Sequence, residues 1–182
     1  INASSDETSA QVIITGKGNY TGTAKTGFAI VPKTLAAATV SGYEESVAYT
    51  GADVVFTGVI VTDGEDVLTE GIDYKVTYTG NKSVTTDDGT YFNVTGTGNY
   101  TGTKIVHFVI TAKDLADCDV QEIESQIWTG KAIEPDVTIR NSTNLLVKGV
   151  DYDVAYESNI NETTASSKAK AIITGKGNYT GE

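Results

Sequence analysis

The sequence predicts an all-β protein built from tandem copies of one folding unit. The first observation is a glycine-rich phrase that recurs three times, as GKGNYTG at residues 16–22, GTGNYTG at 96–102 and GKGNYTG at 175–181. Its tyrosines, Tyr20, Tyr100 and Tyr179, lie 80 and 79 positions apart. A fixed period of this length is typical of repeat proteins, whose units span distance or present surface more often than they build one active site.

The second observation is alternation with a period of two. Tyr74, Val76 and Tyr78 place large residues on one face of a segment and Lys75 and Thr77 on the other. The same pattern recurs in pairs that match between copies: Tyr152 and Val154 with Tyr74 and Val76, Val12 and Ile14 with Phe92 and Val94, and Phe28 and Ile30 with Phe108 and Ile110. Such alternation indicates strands with one buried face.

Turn signals such as Asp63-Gly64 and Asp88-Gly89 separate these segments at short intervals. Residues 34–38 are rich in alanine, but five residues are too few to hold an α-helix. We expect about seven short strands in each unit, which favours a two-sheet sandwich of the immunoglobulin type. The predicted fold is therefore a series of immunoglobulin-like β-sandwich repeats, each of about 80 residues.

The repeats divide the chain into three parts. Residues 1–33, the first copy, are predicted to be the closing hairpin of a preceding repeat, and residues 34–112, the middle copy, to be a complete repeat. Residues 113–182, the last copy, are predicted to lack the final strand that residues 104–111 supply in the middle copy. Because an unpaired sandwich edge promotes aggregation, we expect the last copy to borrow a strand from a neighbour or the natural chain to continue.

Composition excludes several classes of partner. The net charge is -11, with 24 acidic residues against 13 basic ones, so nucleic acid and anionic membranes are unfavourable partners. No apolar run reaches the length of a membrane span, so no membrane insertion is expected. The single cysteine, Cys118, cannot form an internal disulfide, and we expect it to be a small, partly buried side chain.

The GNY phrase resembles a phosphate-binding loop at first sight. A phosphate loop needs a helix after it, whereas the residues that follow here alternate as a strand does. We therefore interpret the phrase as a turn. Gly16 and Gly18 supply unusual backbone angles, Asn19 tolerates left-handed geometry, and Tyr20 closes the end of the sandwich as a tyrosine corner does.

No catalytic, cofactor-binding or metal site is predicted, and a ligand-binding site is not identified. The acidic clusters at residues 63–66 and 87–89 do not follow the spacing of a calcium loop, so we interpret them as solvated turns. His107, the single histidine, is expected on an outer face, where it forms neither a metal site nor a catalytic triad.

An internal cross-link is the remaining chemical alternative. Lys33 and Lys113 recur at equivalent places, as do Asp73 and Asp151. A lysine joined to an aspartate would lower the mass of the intact chain by one water for each bond. The simpler interpretation is an exposed lysine and an aspartate that caps a turn.

The pattern of residues 71–74, residues 94–103 and residues 108–110 resembles bacterial immunoglobulin-like repeats of large exported and cell-wall proteins, chiefly from Gram-positive anaerobes such as clostridia. The resemblance covers essentially the whole chain and brings no catalytic residues. It implies an extracellular location at the bacterial cell surface or cell wall. It also implies a spacer or stalk whose partners are neighbouring repeats of the same chain or of other copies, with assembly into fibres as an extension.

The alternative is an adhesin-type module that binds a glycan or a host protein. It requires an exposed patch found in one copy only, and Trp128, which replaces Tyr49, is the best candidate. Both residues are expected to anchor the start of a strand at the core edge. An enzyme is disfavoured because no pair of acids, nucleophile with base, or metal-ligand cluster is apparent.

Overall fold

The computed structural model describes residues 2–3, 10–85, 89–164 and 167–182. The protein is essentially all-β, as predicted. Two three-residue 3-10 helices are present: Leu35–Ala37 lies within residues 34–38, which were expected to be too short for an α-helix, and Leu115–Asp117 occupies the corresponding place in the last copy. Among the described residues, no helix has the length and apolar character needed to cross a bilayer.

The strands are short, and several contain only two or three residues. In chain order they are β1 (Ala10–Thr15), β2 (Thr23–Phe28), β3 (Lys33–Thr34), β4 (Thr39–Ser41), β5 (Ser46–Ala48), β6 (Ile60–Asp63), β7 (Asp66–Val67), β8 (Tyr74–Thr79), β9 (Tyr91–Gly96), β10 (Tyr100–Thr101), β11 (Thr103–His107), β12 (Val109–Thr111), β13 (Lys113–Asp114), β14 (Asp119–Val120), β15 (Ile139–Asn141), β16 (Asn144–Leu145), β17 (Tyr152–Glu157), β18 (Lys170–Gly175) and β19 (Tyr179–Thr180).

The chain divides into two compact units, and the first comprises Ile1–Tyr43, Phe56–Thr79 and Tyr91–His107. It contains the antiparallel pair β1–β2, the parallel pair β3–β10, and two antiparallel sheets in the orders β4-β6-β7 and β8-β9-β11. In the β8–β9 register Tyr78 lies opposite Phe92, and the alternate residues Phe92 and Val94 are fully buried. The period-two prediction is therefore confirmed for this sheet.

The second unit comprises Glu44–Val55, Gly80–Thr90 and Phe108–Glu182. It contains the parallel pairs β5–β12 and β13–β19, the antiparallel sheet β14-β15-β16 and the antiparallel pair β17–β18. Its core consists of six buried side chains: Leu115, Val137, Ile139, Leu146, Tyr152 and Tyr179. Each unit contains residues of more than one predicted copy, and the boundaries after residues 33 and 112 remain predictions.

Corresponding segments of the middle and last copies pair in the same way. Tyr100 lies opposite Lys33 in β10–β3, and Tyr179 lies opposite Lys113 in β19–β13. Burial follows the same alternation in β8 and in β17, beginning at the buried residues Tyr74 and Tyr152. The spacing between equivalent tyrosines changes by one residue, from 80 to 79 positions, and this change leaves the strand pairings unaltered.

The number of strands differs from the prediction. The described residues of the middle copy and the adjoining Lys33 contain ten short strands, β3 to β12, where about seven were expected. Part of the difference lies at Phe108, which belongs to no strand and divides the single strand expected over residues 104–111 into β11 and β12.

Candidate binding surface

The GNY phrase forms a tight turn and does not form a phosphate loop. In all three copies the amide of its first glycine donates to the carbonyl of its last, as Gly96 does to Gly102 at 2.9 Å. The tyrosine amide donates back to the carbonyl of the residue after the first glycine, as Tyr100 does to Thr97 at 3.0 Å. Strand β11 follows the turn directly, so no helix N-terminus is available for an anion.

Two details of the predicted turn are wrong. The residues with positive φ are the second and the last glycine, with φ of 65° at Gly18 and 89° at Gly22, and Asn19 does not have positive φ. Gly16 does not have positive φ either; a Cβ there would lie 2.8 Å from the backbone of Tyr20. The first glycine is therefore required by close backbone approach, and the second and last glycines by their backbone angles.

The tyrosine of the phrase closes the core in only one of the three copies. Tyr179 is buried and Tyr100 is half-buried, whereas Tyr20 is 79% exposed, so the prediction for Tyr20 is wrong. Tyr179 packs edge-on against Tyr49 with ring centroids 5.5 Å apart, and its hydroxyl accepts from Asn141.

The asparagine of the phrase joins one copy to the next. Asn178 accepts, at its side-chain oxygen, a hydrogen bond of 2.8 Å from the amide of Val84 in the middle copy. Asn99 accepts one of 2.6 Å from the amide of Ala3 in the first copy. Ala3 and Val84 are equivalent positions, because both correspond to Glu162. Ala3 does so at the offset of 159 that relates Ile1 to Ile160, and Val84 at the offset of 78 that relates Asn81 to Asn159, whose side-chain amides both donate to a backbone carbonyl. Sequence reasoning missed this contact, although the asparagine's recurrence in every copy was a signal for it.

The last copy carries exposed residues where the middle copy has covered ones. Trp128 is 64% exposed, whereas its counterpart Tyr49 is half-buried against Tyr179, so the expectation that Trp128 anchors a strand at the core edge is wrong. The same copy has a cleft of about 350 Å³, lined by Gln121, Glu122, Ile123, Glu124, Gln126, Pro135, Asp136 and Thr138. Residues 121–129 are exposed throughout and belong to no strand.

The other residues considered from sequence are not brought together as a site. Asp63 binds Lys33 at 2.6 Å and accepts from the Tyr100 hydroxyl, and within the described part of the chain no three potential metal ligands cluster. Asp87 and Asp88 lie outside the described residues. His107 is exposed beside the Tyr91 ring, while its neighbours Val106 and Phe108 are buried, as the alternation predicted.

The lysines considered for a cross-link have other partners. Lys33 pairs with Asp63 and Lys113 pairs with Asp117 at 2.8 Å. Asp73 and Asp151 each accept a hydrogen bond from the amide four residues earlier, at 2.9 and 2.8 Å, so both aspartates cap turns. The turn-cap interpretation is therefore supported for both.

The half-buried thiol of Cys118 packs against the core of the second unit. Burial raises the pKa of this thiol, because a thiolate is poorly solvated there. A thiol with a raised pKa is protonated at neutral pH and is a weak nucleophile. The structure therefore confirms the expected small, partly buried side chain.

Comparison with known proteins adds no assignment. No family model matches this chain, and no curated protein or solved structure shows significant similarity to it.

Proposed function

We propose that this chain is a structural spacer, a stalk segment of a bacterial extracellular or cell-surface protein, made of tandem immunoglobulin-like β-sandwich repeats. The observation that carries the proposal is the repeated contact between successive copies. The amides of Ala3 and Val84, at equivalent positions, donate to the equivalent oxygens of Asn99 and Asn178. A contact that recurs with the repeat fixes each copy against the next in the same way, as a stiff stalk requires.

The chemistry of the surface agrees with a spacer. The net charge of -11 keeps such a chain soluble and separated from anionic envelopes. The acids and lysines with assigned partners form turn caps and ion pairs. The proposal has three further parts: an extracellular location, self-assembly, and the architecture of tandem repeats.

The test is length. Chains carrying one, two or three extra insertions of residues 34–112 would be measured by small-angle X-ray scattering. We expect the maximum dimension to grow by a constant step for each insertion. Asn178→Ala should add bending at one junction and shorten the average dimension, whereas the matched variant Asn19→Ala should not. A dimension that stays constant as copies are added would overturn the stalk.

The second candidate is an adhesin-type module that binds a glycan or host protein. It is favoured by two features of the last copy, the exposed Trp128 and a cleft lined by Glu122, Glu124 and Asp136. An exposed aromatic ring offers a face on which a sugar stacks. A saturable glycan-array signal that disappears in Trp128→Ala would favour this candidate over the stalk.

A further inference from the structure

Residues 109–114, the junction segment, join the middle copy to the last copy. Strand β12 ends at Thr111, a single residue follows, and β13 begins at Lys113. β12 pairs in parallel with β5 of the middle copy, and β13 pairs in parallel with β19 of the last copy. The junction segment is therefore hydrogen-bonded to both of the copies that it connects.

Three alternate residues of the junction segment use one edge for these bonds. Val109 donates its amide at 2.9 Å, Thr111 accepts at its carbonyl at 2.9 Å, and Lys113 donates its amide at 3.0 Å. Their partners are, in turn, Glu45 just before β5, Tyr49 just after it, and Asn178 just before β19. Because alternate residues of a strand direct their backbone groups to the same edge, the segment behaves as one continuous strand through Ala112.

β5 and β19 follow one another along this edge. Tyr49, which follows β5, packs edge-on against Tyr179, the first residue of β19, with ring centroids 5.5 Å apart. Tyr179 in turn lies opposite Lys113 in the register of β13 and β19. The middle copy thus holds the first half of the junction segment, the last copy holds the second half, and the two tyrosine rings connect the two partners.

The first copy shows which amides this arrangement needs. Pro32 stands at the position of Ala112, and proline has no amide hydrogen to donate. The next residue, Lys33, still donates its amide to the Asn99 carbonyl at 2.9 Å, and β3 pairs in parallel with β10 as β13 does with β19. The amide at the position of Ala112 is therefore not needed for the pairing that follows it.

Buried side chains fix both halves of the junction segment. Ile110 is fully buried, and Leu115, which follows the segment directly, is one of the six core side chains of the second unit. Sliding the segment along its own axis would break its backbone hydrogen bonds and pull these apolar side chains out of their surroundings. Both costs oppose lengthwise movement.

We propose that the junction segment bears tension, so that successive copies transmit a pulling force along the chain without unfolding. Tension draws the middle copy backwards along the segment and the last copy forwards. Because the segment runs parallel to both β5 and β19, this load acts lengthwise on all of its hydrogen bonds together, and several must break at once. This inference rests on the stalk proposal, since a module carries such a load only when it is tethered at both ends.

The test is the lifetime of the folded chain under a constant pulling force. Single molecules of the whole 182-residue chain would be held through handles at its two ends. Bonds loaded in shear break once the strands slide by about one residue, ~3.3 Å, whereas a strand that peels away frees several residues before it detaches. We expect the dependence of lifetime on force to give a displacement of about one residue, and a displacement of several residues would overturn the proposal.

Two proline variants separate the paired amide from the unpaired one. Lys113→Pro removes the amide that β19 uses and should shorten the lifetime under force about tenfold, the effect of one backbone hydrogen bond. Ala112→Pro copies Pro32 and should leave the lifetime unchanged. Lys113→Ala keeps the amide and removes only the ion pair with Asp117, so it should change the lifetime by less than about twofold.

A variant away from the junction segment separates resistance to force from stability at equilibrium. Tyr152→Phe removes a buried hydrogen bond to the Val137 carbonyl, so urea denaturation should show a loss of stability. We expect it to shorten the lifetime under force less than Lys113→Pro does, because this hydroxyl is not loaded by the pull. Equal shortening by Ala112→Pro and Lys113→Pro, or a larger effect of Tyr152→Phe, would overturn the proposal.

The force measurement and the scattering measurement can fail separately. Constant lengthening for each inserted copy, together with a lifetime that Lys113→Pro does not shorten, would refute the bearing of tension and leave the stalk standing. A dimension that does not grow, together with the expected response to Lys113→Pro, would refute the stalk and leave the resistance of the junction segment established.

Discussion

Around β8 and β9 the middle copy packs four aromatic rings, whereas the last copy has one aromatic ring at the corresponding positions. Phe92 lies at the centre, with the rings of Tyr43, Tyr78 and Phe56 at centroid distances of 5.4, 5.6 and 6.0 Å. The counterparts of Tyr43, Phe56, Tyr78 and Phe92 are Glu122, Pro135, Tyr156 and Ala171.

The strands pair alike in spite of this difference. Tyr78 opposes Phe92 in β8–β9, and Tyr156 opposes Ala171 in β17–β18. In both copies the tyrosine hydroxyl donates to a backbone carbonyl, that of Phe56 or that of Pro135. The hydrogen bond and the strand pairing are therefore the same in both copies, although the volume of the side chains packed there differs. In the last copy a cleft lined by Glu122 and Pro135 lies at the positions where the middle copy has the aromatic rings of Tyr43 and Phe56.

The largest expected effect comes from emptying the middle-copy cluster. Phe92→Ala leaves a cavity among three rings and should lower the free energy of unfolding by about 3–5 kcal/mol. Hydrogen exchange of the β8 and β9 amides and urea denaturation would measure it. The matched control is Phe28→Ala at a half-exposed ring, which should cost less than about 1 kcal/mol. Equal losses at the two positions would show that the cluster does not stabilise the copy.

The second comparison is between two equivalent tyrosine hydroxyls. Tyr152 donates to the Val137 carbonyl at 2.7 Å in a buried setting, whereas Tyr74 donates to the Val59 carbonyl at 3.4 Å in a partly buried one. Tyr152→Phe leaves a buried acceptor unpaired and should cost about 1–2 kcal/mol, and Tyr74→Phe about 0.5 kcal/mol or less. Thermal unfolding of the two variants gives the ranking, and a larger loss for Tyr74→Phe would contradict it.

Alternation along the chain predicted much of the interior. Phe92, Val94, Phe108 and Ile110 are buried as their period-two spacing indicated, because a strand's faces follow from its local geometry. The same pattern gave the wrong burial for Val12 and Ile14, which are exposed. Periodicity identifies the face that is apolar, but burial also requires a second layer of chain to pack against that face.

Contacts between copies could not be predicted in this way. Asn99 and Asn178 were assigned to turn geometry, but their side chains accept from amides 96 and 94 residues away. Such a contact depends on which loop approaches the turn, and no local spacing encodes that. Local spacing also could not predict that Trp128 is exposed. Its counterpart Tyr49 is covered by the ring of Tyr179, which lies 130 positions later in the chain.

The smallest expected effect concerns a lysine that changes partner between copies. Lys33 binds Asp63, while in the last copy Asp63 is replaced by Asn141 and Lys113 binds Asp117, which replaces Ala37. A hydrogen bond with an aspartate raises the pKa of each lysine, with Asp63 acting on Lys33 and Asp117 on Lys113. The gain of Asp117 in the last copy therefore compensates for the loss of the aspartate at the position of Asp63, and the lysine is ion-paired in both copies.

Exchanging these partners tests that compensation. Asp63→Asn removes the negative charge that pairs with Lys33 and should lower stability slightly, by less than Phe92→Ala or Tyr152→Phe. The effect is small because Lys33 is exposed and water screens the pair. Adding Ala37→Asp to Asp63→Asn recreates the last-copy arrangement and should restore the loss. Both changes should fade in high salt, since added ions screen exposed charges. A double variant no more stable than Asp63→Asn would mean that the lysine's pairing in the last copy does not compensate for Asn141.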